Sequence, residues 1–383
     1  MAPVWSKQPL KAIFTTFLLL RMIVLLPWLL VRYIPKSSRP FPEWSLKLCI
    51  INALARQIFV YRVQTRSNDM SSVISDHQKA EERYSLAKPA EATLYSGILT
   101  PGVAKPAAVG GLWYPAPLYE GSSNLDDEKV VLHFPSSAFV LAFGQEMHGR
   151  DVAKAMSRYL KATRTFFAQY RLSADATTRF PAALQDLLTF YHYILSLGVK
   201  PQNIILSGDS AAGNLVIALL RYLEETSRSL PPPGGAIVWS PWVHVTSQAG
   251  ADYDASGNAA NDCLIAPLLQ WGAQSYLPEK QPTAEELAYI SPLHHPFRTN
   301  VPLFIHGGTA EALLDTIKEF SKQMAEVDGN RVKFHSTDFA SHDLIMAYNG
   351  VGLEREVESA VGDAYGLFEQ YSAAESVNIS SRQ

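Results

Sequence analysis

Cysteine is scarce: the 383 residues contain two, Cys49 and Cys263, far apart in the chain. Two thiols cannot build a disulfide framework, and without close pairing they do not read as a structural zinc site, so no metal is expected. Neither sign of charge dominates, since 33 Lys and Arg against 36 Asp and Glu leave a net −3. A nucleic-acid binder usually carries a basic excess or stripe, so no nucleic-acid partner is expected. With 22 Gly and 24 Pro the chain is not a low-complexity polymer, and at 47% hydrophobic residues it is too apolar for disorder. Internal repeats are absent as well. What remains is enough chain for one large α/β domain or two small ones.

One local bias stands out. Residues 12–31 read AIFTTFLLLRMIVLLPWLLV, with Arg21 as the single charge. Twenty helical residues span roughly 30 Å, the thickness of a bilayer core. The run holds 13 Leu, Ile, Phe or Val side chains. At about −0.3 to −0.6 kcal/mol each they outweigh a central Arg at about +2.5 to +3.5 kcal/mol. Residues 1–35 therefore read as a membrane anchor, with an amphipathic surface or cap helix as the alternative. A cleaved signal suits Pro27, Trp28 and Tyr33 badly, because a cleavage site needs small residues. Lys7 and Lys11 precede the run while Arg32, Lys36 and Arg39 follow it, so the charges leave the orientation open. The expected location is a membrane, such as that of the endoplasmic reticulum.

Beyond residue 36 a single domain is expected, reaching to residue 383. Residues 39–44 (RPFPEW) suggest a stiff linker, 45–62 look helical, and 66–92 are polar and weakly patterned. Short β-branched or apolar runs then recur at 129–134, 164–169, 203–207, 235–239, 302–306 and 331–335, separated mostly by helical patterns. Such alternation predicts a mainly parallel sheet covered on both faces. One crossover helix is explicit: Pro181 at its start, then Leu184, Leu187, Leu188, Tyr191 and Leu195 on one face, with Gly198 as the stop and Pro201 beyond. Residues 246–290 break the rhythm and read as an insertion over the sheet's carboxyl edge, where open α/β sheets bind ligands.

The sharpest motif is Gly208-Asp209-Ser210-Ala211-Ala212-Gly213, between an apolar strand and a helix. A serine at such a turn is pushed into the open by a strained backbone, and the helix behind it offers N–H groups to an oxyanion. The usual pattern is G-x-S-x-G; here Ala212 takes the last position and Gly213 follows. A serine hydroxyl attacks only with a base and an orienting carboxylate nearby. Downstream, Glu311 and His342 each fall just past a predicted strand end, in the order Ser, acid, His. Asp315 is the alternative acid.

These stretches, together with Tyr170-Arg171-Leu172, Phe180-Pro181-Ala182-Ala183, Ser240-Pro241-Trp242 and Ser291-Pro292-Leu293, resemble the hormone-sensitive-lipase-like branch of the α/β-hydrolase fold, in a form common among fungal esterases. The resemblance covers about 91–371 and implies a mostly parallel sheet of about eight strands, helices on both faces, and a helical cap from about 36–90 and 246–290. It places the acid of the family's G-x-x-D-P-L-x-D element on Glu311, with Ala312 in place of Pro and Asp315 on the second acid, and the base on His342.

The oxyanion loop departs from the family's H-G-G-G or H-G-G-A-F. Here Pro135-Ser136-Ser137-Ala138-Phe139 follows the strand, with Ser136 and Ser137 on the two glycine positions. An oxyanion hole uses backbone N–H groups, which leaves Ser137, Ala138 and Ala211 as expected donors. A second register, starting at His133, would set Pro135 on a glycine position. Phe139 and Trp242 are expected to shape the substrate pocket. The implied activity is that of a membrane-associated serine hydrolase, carboxylesterase- or lipase-like, acting on a small-molecule acyl ester without a cofactor. The setting suggested by the fungal resemblance is a natural-product pathway. The alternative is a binding-only, receptor-like member, on account of the altered loop.

Overall fold

The computed structural model describes residues 3–66, 81–122, 125–136, 138–142, 145–226 and 230–380. Two helices come first, α1 (Leu10–Tyr33) and α2 (Leu46–Thr65). Strands β1 (Tyr84–Ala87), β2 (Val109–Tyr114) and β3 (Val130–Phe134) follow, then α3 (Gln145–Tyr159), β4 (Arg164–Gln169), α4 (Ala182–Ser196), β5 (Ile204–Asp209), α5 (Ala211–Glu225) and β6 (Gly235–Trp239). Helices α6 (Ala249–Asp254), α7 (Ala266–Tyr276) and α8 (Ala284–Ile290) make up the insertion. The chain ends with β7 (Leu303–Gly308), α9 (Leu314–Ala325), β8 (Val332–Thr337), α10 (Leu344–Val351) and α11 (Glu354–Ser380).

The described strands form one eight-stranded sheet in the order β1-β2-β4-β3-β5-β6-β7-β8. Pairing is antiparallel at β1–β2–β4 and parallel from β4 onward. Strand alternation sorts the apolar residues onto two faces. Leu132, Phe134, Leu206 and Val238 pack with Leu187 of α4 and Leu219 of α5. Val131, Ile205, Ile237 and Phe304 pack on the other face with Met156 of α3 and Val361 of α11. Because β4 and β5 flank β3 on opposite sides, the order of winding across the sheet reverses between the parallel strands β3 and β5, the switch point at which open α/β sheets form a crevice at the carboxyl ends of their strands.

All six strand runs read from the sequence are present within two residues, and the 45–62 helix extends to Thr65. The expected list lacked the two antiparallel strands. β1 lies inside the 36–90 stretch assigned to the cap, and β2 carries Gly110-Gly111 in its middle. Glycine in a strand weakens the β signal; here it is required by close approach, since a Cβ at Gly111 would lie 2.4 Å from the Phe167 carbonyl oxygen.

Helix α1 leaves most of its apolar surface exposed, Val24 being 72% accessible. It meets the domain along one side: Leu29 and Tyr33 pack with Trp44, Leu48 and Val351, and further up Leu18 is buried and Thr15 reaches the Tyr61 hydroxyl of α2 at 3.5 Å. The linker is folded rather than extended, because Arg39 donates to the carbonyls of Tyr33 and Trp44. The Trp44 indole N–H in turn reaches the Phe339 carbonyl at 2.6 Å.

Candidate active site

Ser210 stands between β5 and α5 with φ 52° and ψ −117°, a conformation costly for any residue with a Cβ, on the order of 1–3 kcal/mol. Surrounding bonds hold it there. Its N–H donates to the Trp239 carbonyl at 2.8 Å, and its own carbonyl accepts from Trp242 N–H at 3.0 Å. Glycine is needed on either side because the backbones meet. A Cβ at Gly208 would lie 2.7 Å from the Ala212 carbonyl oxygen, and one at Gly213 would lie 2.9 Å from Pro241. Ala212 itself is fully buried and tolerated, so the close approach falls one residue later than in G-x-S-x-G. Gly208→Ala is expected to cost about 1–3 kcal/mol, read as a fall of about 2–8 °C in the thermal midpoint together with slower reaction at Ser210. An unchanged midpoint would contradict this packing argument.

Past β7, Glu311 is wholly buried and faces three donors. Its Oε2 lies 2.8 Å from His342 Nδ1. Its Oε1 accepts from Gly308 N–H at 2.6 Å and from the Ser240 hydroxyl at 3.0 Å. Burial pushes the Glu311 carboxyl above its usual range, against the lowering effect of the His342 hydrogen bond. Burial likewise disfavours a charged His342, but the hydrogen bond and charge of Glu311, with the charges of Asp262 and Asp343, prevail and raise it to about 9. In the alternative tautomer His342 would present no proton to Glu311. The acid therefore sets the proton on Nδ1 and leaves Nε2 as the basic nitrogen.

Nε2 of His342 is buried and has no hydrogen-bond partner among the described residues. Ser210 is therefore not hydrogen-bonded to it. The two loops are nonetheless joined through the end of β6: Ser210 N–H donates to the Trp239 carbonyl, and the next residue, Ser240, donates to Glu311 and accepts the Asp343 N–H at 3.2 Å. Beside them the carboxyls of Asp209 and Asp343 are both buried, and burial raises both above the usual carboxylate range. Asp209 also accepts the Ser136 N–H at 2.6 Å, which removes that amide from any oxyanion role.

Of the expected oxyanion donors, Ser137 lies outside the described residues. Ala138 and Phe139 take left-handed φ values of 46° and 63°, the region a glycine would fill without strain. Phe139 is anchored there by ring stacking on Tyr276 at 3.8 Å and by its carbonyl accepting from Ser173 N–H at 2.7 Å. The Ala138 N–H has no partner among the described residues. Ala211, the first residue of α5, has an N–H without an intrahelical acceptor.

Three expectations need correction. Asp315 does not reach His342: it is exposed in the first turn of α9, where a negative charge favours the helix dipole. Phe139 and Trp242 are both buried, 5.6 Å apart between ring centres, and neither lines the cavity beside His342. Their apolar character serves packing of the strained loop. The cavity, about 840 Å³, is lined instead by α2 (Ile51, Ala55, Phe59), Leu141 and Met346, with Ser136 and His342 also in its wall. His133, the alternative start of the oxyanion motif, is a core residue bonded to the Ser207 hydroxyl at 3.0 Å. Burial lowers it to about 3, so its 3.0 Å approach to Asp209 is that of a neutral ring.

Ser240 and Asp262 touch this constellation and were not among the expected site residues. Ser240 falls in a stretch that the family resemblance already picks out, whereas Asp262 lies in an aperiodic loop that no pattern marks.

Residues 131–346, more than half of the chain, match the α/β-hydrolase fold family. An esterase of Acinetobacter venetianus is 30% identical over 157 residues, 41% of this chain and 48% of its own. An acetyl-hydrolase of Streptomyces hygroscopicus is 28% identical over 208 residues, 54% of this chain and 65% of its own. The chain thus spans about half to two thirds of the length of these curated relatives. Among solved structures, an esterase of the bacterial hormone-sensitive lipase family superposes with a TM-score of 0.59 at 21% identity, covering 85% of this chain and 99% of that one. A hyperthermophilic esterase from Pyrobaculum calidifontis gives 0.59 at 20% identity over 83% of this chain and 98% of its own. At such identities the likeness is one of fold.

Proposed function

We propose, for a chain that belongs to the α/β-hydrolase fold family by its match over residues 131–346, the activity of a membrane-associated serine hydrolase that cleaves carboxylic esters. The observation that carries this reading is the Glu311–His342 bond, which leaves Nε2 as the basic nitrogen without a hydrogen-bond partner, in a fold whose strained turn after β5 carries Ser210. On binding substrate, the Ser210 hydroxyl turns to Nε2 and attacks the ester carbonyl as His342 takes its proton. Glu311 stabilises the imidazolium. The N–H groups of Ala138 and Ala211, with Ser137 by its place in the sequence, hold the oxyanion. His342 then returns the proton to the leaving alcohol. Water, or another nucleophile, repeats the sequence on the acyl-enzyme and frees Ser210.

Turnover of p-nitrophenyl butyrate by the intact chain tests this. Hydrolysis above the buffer rate is expected. A folded chain that binds the ester without releasing p-nitrophenol would favour the binding-only reading, which rests on the Pro135-Ser136 loop and the unmade Ser210–His342 bond.

The membrane part rests on α1, whose 24 residues have a most apolar window of mean hydropathy 2.2 with 11% of it buried. The full chain is expected to stay with membranes through an alkaline carbonate wash. Two added lysines, Leu20→Lys with Val24→Lys, would each cost about 2.5–3.5 kcal/mol in the bilayer and exceed the margin for insertion. That variant should move to the soluble fraction with its ester turnover intact. If it remained bound, α1 would not be the anchor.

A further inference from the structure

From the insertion between β6 and β7, one acidic side chain reaches the loops of both the base and the acid. Asp262 is wholly buried, and its carboxyl accepts three backbone N–H groups. Oδ1 takes those of Cys263 at 2.7 Å and His342 at 3.2 Å, and Oδ2 takes that of Ala312 at 3.0 Å. One carboxyl thus joins the residue after the acid to the base itself. The bond at 312 exists because that residue is alanine, since a proline would have no N–H to donate. In the same loop, the Asn258 side-chain amide donates to the carbonyls of Thr309 and Glu311, each at 3.1 Å.

The loop is in turn held by α2. Asn52 donates to the Asn261 carbonyl at 2.7 Å, and one guanidinium nitrogen of Arg56 reaches the carbonyls of Ala259 and Leu264 at 3.0 Å each, as well as that of Asp262. A carboxyl bound by three amides and backed by an arginine on another helix is far more than a surface loop needs to stay folded.

We propose that Asp262 is a positioning residue for the hydrolysis put forward above: it sets the acid and base loops in register, and its negative charge stabilises the imidazolium that forms when Ser210 attacks. The groups facing His342 are Glu311 at Nδ1, Asp262 at its backbone, Asp343 beside it with Asp209 behind, the Cys263 thiol at 3.9 Å from its carbonyl, and the neutral buried His306. Burial acts against the charged ring, and the acids, Glu311 foremost, act for it.

The test compares Asp262→Asn with the parent chain by NMR titration of ring-labelled histidine and by kcat and KM on p-nitrophenyl butyrate. Asparagine removes the charge and, because its amide group is a donor, sets one N–H against another at Oδ1 or Oδ2. The His342 titration is expected to move to lower pH, and kcat to fall about 10- to 100-fold with KM within about twofold, as for other groups that orient a catalytic residue. Arg56→Gln loosens the loop but keeps the Asp262 charge. It should lower kcat while leaving the His342 titration in place, and it carries the test if Asp262→Asn does not fold. Parent-like titration and kcat in Asp262→Asn, or parent-like kcat in Arg56→Gln, would overturn the proposal. The titration is read on unreacted protein, so a parent chain without turnover would count against the hydrolase reading and leave the effect of Asp262 on His342 measurable.

Discussion

Ser210→Ala is expected to lower ester turnover by about 10⁴- to 10⁶-fold, the loss found when the nucleophile of a serine triad is removed. The structure makes this substitution a clean one. The bonds that hold residue 210 run through its N–H and carbonyl, to Trp239 and Trp242, and do not involve the hydroxyl. Alanine keeps the Cβ that already stands at φ 52°, so the strain of the turn is the same before and after. The thermal midpoint should therefore stay within about a degree or two while activity disappears. Residual turnover near the parent's would assign the chemistry to another nucleophile. A large fall in the midpoint would instead show that the hydroxyl supports the fold.

Glu311→Gln should produce the next largest loss, together with a change in pH dependence that a simple loss of packing would not give. Attack needs His342 uncharged at Nε2, so in the parent chain kcat/KM rises with pH and levels off above the raised titration of His342, about 9. Burial disfavours the charged ring, and the hydrogen bond and charge of Glu311 are the foremost influences in the other direction. Replacing the carboxylate by an uncharged amide removes them, so the rising limb should shift to lower pH. At the same time glutamine can present an N–H to Nδ1, which favours the wrong tautomer. The plateau rate should fall by about 10³- to 10⁴-fold, the scale of the corresponding acid-to-amide change in serine proteases. Because the two limbs move apart, the ratio of parent to variant should be smallest at low pH. A pH profile that keeps its midpoint would contradict the role of Glu311 as the charge partner of His342.

Much of this site was legible in the sequence because its parts sit where periodicity changes. Ser210, Glu311 and His342 each follow an apolar strand run whose end is visible from composition alone. The antiparallel strands β1 and β2 were not legible: β1 has four residues with one fully buried side chain, and β2 is interrupted by two glycines. Asp315 was a reasonable second acid by spacing. Only the three-dimensional turn after β7 separates it from Glu311, because Glu311 lies inside the turn while Asp315 has entered the first turn of α9 and faces water. Phe139 and Trp242 misled for a related reason. Aromatic residues next to an oxyanion loop suit a substrate pocket and a strained loop's core equally well, and stacking on Tyr276 decides for the core. The wall facing His342 comes from α2, more than 250 residues away in the chain, and no local pattern carries such information.

Peptide mass spectrometry of the full chain after reaction with a fluorophosphonate locates the attacking atom without reference to any chosen ester. Covalent phosphonylation of the peptide bearing Ser210, lost in His342→Ala although that variant stays folded, is the result expected here. Modification at a different serine, or equal labelling with and without the imidazole, would contradict the claim that this side chain is activated by this histidine.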